Sequence, residues 1–400
     1  MMRQRTLIVV IIALALTGCS VSGQPDDGTT ERRFPPTAEG TPLPAEGGLN
    51  RVMALTAGAM HTCVLLEAGT VQCWGENSFG QLGNGMTTAH ATPVEVSRLR
   101  GVTALAAGAN HTCALLATGT VQCWGENSFG QLGSETSTEF RATPAEVIRL
   151  REVTALAAGA NHTCALLATG TVQCWGGNFA GQLGDGTSTG RVTPAEVRQL
   201  RGVTALAVGF GHACALLATG TVQCWGENAF GQLGDGTSGQ LGDGTSEKFR
   251  TTPVEVVGLR GATALAAGRH HTCAVLETGT VVCWGGNAFG QLGDGTTTNR
   301  ATPTEVVGLR GVTALAAGAM HTCALLETGT VQCWGMNLSR QLGDGTATNR
   351  ATPTEVVGLR GVTVLAAGAM HTCALLETGT VQCWGNNAFG QLGNVTARTP

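Results

Sequence analysis

Tyrosine is absent from the chain, lysine occurs once, at Lys248, and only 12% of the 400 residues are charged. A net charge of −4 carried by so few ions excludes the basic stripe that nucleic-acid binding requires. Long apolar runs are missing too. The ten-residue stretch LIVVIIALAL, residues 7–16, is short of the roughly 20 residues that cross a bilayer as a helix. No segment carries an apolar stripe with the 3.6-residue helical period. Sixty glycines without a collagen repeat leave a turn-rich all-β chain, and 42% hydrophobic residues suffice to fill a large core.

What stands at the N-terminus is an address. MMRQR supplies two arginines, the apolar run follows, and LTGCS ends it. A charged head, a short apolar stretch and small residues before a cut make a secretory signal. Leu16-Thr17-Gly18-Cys19 resembles a bacterial lipobox, which implies that Cys19 is lipidated and becomes the first residue of the mature chain. Cysteine arithmetic agrees: of fifteen cysteines, fourteen lie in repeats and Cys19 is left over. Residues 1–18 are therefore expected to be a lipoprotein signal peptide. Residues 19–48, rich in Pro, Gly, Ser and acids, have almost nothing to bury and read as a disordered tether. Its reach is roughly 30 Å, from the square-root scaling of a flexible chain.

From residue 49 to 400 the chain repeats. Trp74, Trp124, Trp175, Trp225, Trp284, Trp334 and Trp384 mark seven units of about 50 residues. One unit is longer because GQLGDGTS at 231–238 is repeated at 239–246. Within a unit, TPTEVVGL, VTALAAG, HTCALL and TVQCW are short strand-like runs, and the last two flank Glu-Thr-Gly, a hairpin loop closed by a G1 bulge. Four short strands per repeat predict the blades of a seven-bladed β-propeller.

Hairpin pairing settles the cysteines. If Leu66 opposes Thr70, Cys63 falls opposite Cys73, at a spacing close to disulfide reach. The same count pairs Cys113 with Cys123, Cys164 with Cys174, Cys214 with Cys224, Cys273 with Cys283, Cys323 with Cys333 and Cys373 with Cys383. An export signal places these pairs where disulfides persist. His61, Cys63 and Cys73 are also metal-ligand types, but a closed zinc site takes four ligands and a fourth is missing. The repeated histidine is expected instead to be a buried hydrogen-bonding group that ties its strand to the next blade. The Asp-Gly-Thr segments read as turns, lacking the oxygen crowding of a calcium loop.

The string G-x-x-H-T-x-A-L followed by G-T-V-x-x-W-G-x-N-x-x-G-Q-L-G-D-G resembles the regulator of chromosome condensation repeat. It is read along residues 318–345 and, with drift, in every unit, so the resemblance covers about residues 49–396. The resemblance implies seven-bladed β-propellers used for protein recognition. The family's founding member exchanges nucleotide on a small GTPase through a specialised face and a wedge that no residues here match. Paired cysteines are not a fixed family feature and look like the variant expected of exported members.

No catalytic constellation is in view. Units six and seven are identical over 299–335 and 349–385 except that Ala314 becomes Val364, and near-identical blades are poor material for an asymmetric active site. Blade-to-blade differences concentrate before the histidine, after Trp-Gly, and after the Asp-Gly-Thr turn. Phe210, Phe249, Arg269 and His270 are the anchors an interface made there would use. The expectation is a non-enzymatic protein-recognition scaffold with no cofactor or metal. It would be held at the bacterial envelope through Cys19, with an unknown protein partner and the membrane met only through the lipid. A secreted-type enzyme inhibitor and a structural envelope protein are the rival readings, and a guanine-nucleotide exchange factor is the reading furthest from the residues. Two irregularities stand out. Unit six has Arg340 where other units have Gly, and only six Thr-Pro strands occur for seven blades.

Overall fold

The computed structural model describes residues 51–137, 139–237 and 248–393. Strands β1 (Val52–Ala57), β2 (His61–Leu66), β3 (Val71–Gly75) and β4 (His90–Glu95) pair in that order as one antiparallel sheet. The unit then repeats as blade 2 (102–146), blade 3 (153–196), blade 4 (203–255), blade 5 (262–305), blade 6 (312–355) and blade 7 (362–385). The first strand of each blade lies beside the first strand of the next. The circle closes where β1 meets β25 (Val362–Ala367), the first strand of blade 7. This is the seven-bladed propeller that the repeat predicts.

Local chemistry explains each hairpin. In blade 1 the Leu66 amide donates to the Thr70 carbonyl at 2.9 Å, the Gly69 amide to the Leu66 carbonyl at 2.8 Å, and Gly69 has φ 71°. Glycine takes that left-handed conformation without a Cβ penalty. The resulting register sets Cys63 opposite Cys73, and all seven pairs stand at disulfide distance, with Sγ–Sγ between 2.02 and 2.10 Å. Closing a ring of about eleven residues gives at most roughly 3 kcal/mol on the chain-entropy view.

Blades are buried on both faces, so the core is between them. Trp124, from blade 2, is fully buried and donates Nε1 to the Gln81 carbonyl of blade 1 at 2.8 Å. The histidine at the head of each second strand is fully buried, and six of the seven reach the next blade. His61 Nε2 meets Thr112 Oγ1 at 2.9 Å, and Thr112 Oγ1 donates to the Gln81 carbonyl at 3.0 Å. Because the threonine's hydrogen is used on that carbonyl, the imidazole must donate, which fixes the Nε2–H tautomer. The same link joins His111 to Thr163, His212 to Thr272, His271 to Thr322, His321 to Thr372, and His371 to Thr62 across the ring closure. The exception is His162. Its would-be partner in blade 4 is Ala213, and neither ring nitrogen finds a hydrogen bond.

Among the described residues blade 7 has three strands, β25, β26 (His371–Leu376) and β27 (Val381–Gly385). The six Thr-Pro strands supply the outermost strand of blades 1 to 6, so the shortfall anticipated from their number falls on this blade. Arg340, in blade 6, has φ 62°, as strained as the Gly-to-Arg replacement implies. At the equivalent place in blade 5 a Cβ on Gly290 would sit 2.5 Å from Ala351 Cα, on the outer strand of the following blade.

Candidate functional site at the axial mouth of blades 4 and 5

Each first strand ends in a Gly and enters a short loop around the propeller axis. The second loop residues are Ala59, Ala109, Ala160, Phe210, Arg269, Ala319 and Ala369, and backbone hydrogen bonds of 3.1–3.4 Å stitch them together at six of the seven junctions. Five alanines make a narrow, bland collar. Phe210 and Arg269, neighbours on blades 4 and 5, break it. Phe210 packs against the apolar cluster that contains those alanines, so its ring covers the axis.

The loops join β13 (Val203–Val208) to β14 (His212–Leu217) in blade 4, and β17 (Ala262–Ala267) to β18 (His271–Leu276) in blade 5. Around them the unusual side chains converge. The Arg269 guanidinium lies 4.9 Å from the Phe210 ring centre, a cation–π contact. The His270 ring is 4.5 Å from Phe230 and 6.4 Å from Phe210. Glu227, at the end of β15 (Val222–Glu227), brings Oε2 to 3.8 Å from His270 Nδ1. Phe249 opens β16 (Phe249–Glu255) directly across from Glu227. Three of the residues expected at an interface, Phe210, Arg269 and His270, thus form one cluster, and Phe249 flanks it through Glu227. Cys19 lies outside the described residues.

The electrostatics are singular as well. Blade 2 carries a glutamate at the same position, and there Asn110 Nδ2 donates to Glu126 Oε2 at 3.1 Å. In blade 4 that asparagine is replaced by Gly211, and the Glu227 carboxylate leans over its bare backbone. Burial raises the Glu227 pKa above the usual carboxylate value, with the Arg269 charge opposing. Burial first, and Arg269 second, push His270 down to about 4. Gln232 is fully buried with Nε2 unpartnered, as are Gln81, Gln131 and Gln341 at the same place in other blades, and its backbone lies beside that of His270. The corresponding Gln291 and Gln391 donate to Met320 and Met60 sulfurs at 3.6 and 3.4 Å. Sequence reasoning placed Glu227 and Gly211 among the variable positions but did not join them to the cluster. Phe230 and Gln232 belong to the common repeat and gave no signal.

The Asp-Gly-Thr carboxylates are turn formers. Asp185 Oδ1 accepts from the Thr187 amide at 2.9 Å and from its hydroxyl at 2.7 Å, and Arg191 Nε donates to Oδ2 at 3.0 Å. These bonds hold the carboxyl below its ordinary pKa against the opposing effect of burial.

A closed disc with a singular patch at its axial mouth is the architecture of a propeller-type binding module. Residues 13–240 match the RCC1-like domain, and residues 219–275, 278–325 and 328–375 match the regulator of chromosome condensation (RCC1) repeat. The chain belongs to the RCC1-like family. It is 31% identical to the ultraviolet-B receptor UVR8 of Arabidopsis thaliana over 62% of this chain and 45% of the receptor. It is likewise 31% identical to the human E3 ubiquitin-protein ligase HERC2 over 61% of this chain and 5% of the ligase. The chain therefore matches less than half the length of either relative. Among solved structures, yeast Prp20p superposes with a TM-score of 0.71 at 24% identity, covering 85% of this chain and 84% of that one. Human WBSCR16 gives 0.71 at 22%, covering 81% and 86%. Those two likenesses show the fold alone.

Proposed function

We propose that this protein is a non-enzymatic recognition scaffold that binds a protein partner through the axial mouth of blades 4 and 5, displayed at the bacterial envelope by a lipidated Cys19. One observation carries the reading. In a chain whose blades are nearly interchangeable, Phe210, Gly211, Ala213, Arg269 and His270 all depart from the repeat within one sector. Aromatic rings and arginine at a central, half-buried position are the residues from which interface hot spots are built. Yeast Prp20p, which shares the fold, is seen bound to Kap60 and has been studied for its binding to Gsp1p and histones, which fits the use of such a disc as a binding surface.

The test is cross-linked capture from membranes with the native chain and with Phe210→Ala, Arg269→Glu and His270→Ala variants. A Met60→Ala change on blade 1 serves as control, and circular dichroism verifies folding. Loss of one partner in the three variants and its retention in the control is the expected result. Retention of every partner by all variants would sink the proposal. A captured hydrolase whose activity falls on binding would move the reading to the inhibitor class.

A further inference from the structure

We propose that the axial mouth takes a carboxylate, supplied by an acidic side chain of the protein partner, with Arg269 as its donor. This rests on the recognition reading above and specifies its chemistry. The Arg269 side chain makes no hydrogen bond or ion pair to any described group: its guanidinium lies against Phe210, its charge acts on Glu227 and His270, and its Nε is buried without a partner. A planar guanidinium stacked on a ring leaves its edge free to meet a carboxylate with two parallel hydrogen bonds. Gln232 Nε2 is buried without a partner, but so are Nε2 of Gln81, Gln131 and Gln341 at the same place in other blades, so Arg269 is the donor that sets this mouth apart. Phe210 and Phe230 wall the site with rings, so an ion pair formed there is poorly screened by water.

Glu227 decides how such a site responds to pH. Among the described residues it is the carboxylate beside His270, at 3.8 Å, its side chain is 24% exposed, and no described group gives it a hydrogen bond. An incoming anion opposes its charge, so binding favours its protonated form. The charged groups around it are few. Arg269 and His270 come from the β17–β18 loop. Lys248 and Arg250 come from the start of β16, where Arg250 is held by Asp235 at 3.3 Å. His270, at about 4, stays neutral across the range in question.

The probe is a capped peptide with one glutamate, acetyl-Gly-Glu-Gly-amide, titrated up to ~10 mM into the full-length protein while ring resonances of Phe210, Phe230 and His270 are followed. The glutamine counterpart and a lysine counterpart are run alongside. Saturable binding of the glutamate peptide alone is expected, weakened roughly tenfold by Arg269→Gln and strengthened about threefold by Glu227→Gln. The native affinity should rise from about pH 7 to about pH 5, where the probe itself stays ionised, and this rise should vanish in Glu227→Gln. Equal binding of the glutamine peptide, no saturation, or indifference to Arg269→Gln overturns the proposal. So does Glu227-dependent binding of the lysine peptide. If the peptide fails while Arg269→Glu still releases a captured partner, the carboxylate chemistry falls and the recognition face stands.

Discussion

A threonine after the buried histidine joins one blade to the next, and Ala213 is the place where that joint is missing. His162 keeps both ring nitrogens unpartnered there, and an unmet buried polar group carries a desolvation penalty. Ala213→Thr should therefore raise stability by about 1 kcal/mol, read as a higher denaturant midpoint at unchanged slope. An unchanged midpoint would mean that the His–Thr contact carries little energy. The histidines also set the response to acid. His61, His111, His162, His212, His271 and His321 are held at about 3 and His371 at about 4, in each case chiefly by burial, against 6.5 when exposed. With the folded pKa depressed below the unfolded one, the unfolded chain takes up protons first as pH falls. Stability is then full above about pH 6.5 and is lost progressively down to about pH 3. The lowered Asp185, Asp294 and Asp344 act in the same direction, but only below their ordinary 3.8. Glu76 and Glu227, raised by burial, act oppositely and are two against eight once His270 is counted. The urea midpoint should fall between about pH 7 and about pH 5, a window that belongs to the histidines. A flat profile there would contradict the burial of neutral imidazoles.

At the scale of the element, the hairpin and its cystine were legible because a three-residue loop ending in glycine fixes strand register, and register fixes which cysteines face. The role of each histidine as an inter-blade tie was readable for a similar reason, since it recurs at one place in every unit. The tie that fails was not readable, because Ala213 matters only beside His162, and that neighbour is fixed by packing between blades. The strain at Arg340 was visible as a missing glycine. Gly290→Ala should cost several kcal/mol, because the new Cβ meets the backbone of Ala351 at 2.5 Å and φ is 81°. It should be read as a lower denaturant midpoint, and an unchanged midpoint would contradict that contact. Blade 7 is where reduction should begin. Cys383 is 9% exposed, while the other thirteen paired cysteines are fully buried. Brief mild reduction followed by alkylation and peptide mapping should label Cys373 and Cys383 first.

Taken whole, the molecule is a rigid disc in which one sector differs. The sequence count of seven units anticipated the ring, and the resemblance to the chromosome condensation repeat is matched by family membership over most of the chain. Its axial mouth was only half visible. Phe210, Arg269 and His270 stood out as departures, while Phe230 and Gln232 are ordinary repeat residues that become part of the site only through the blades beside them. We propose that the chain is exported and lipidated at Cys19, with each blade locked by one cystine. Intact mass of the native, membrane-extracted protein, with and without reduction before alkylation, tests that most directly. A lipid-bearing chain starting at Cys19 that gains fourteen alkyl groups only after reduction is the predicted result, one for each cysteine of the seven pairs. An unmodified chain starting at Met1 and alkylated at those cysteines without reductant would contradict it.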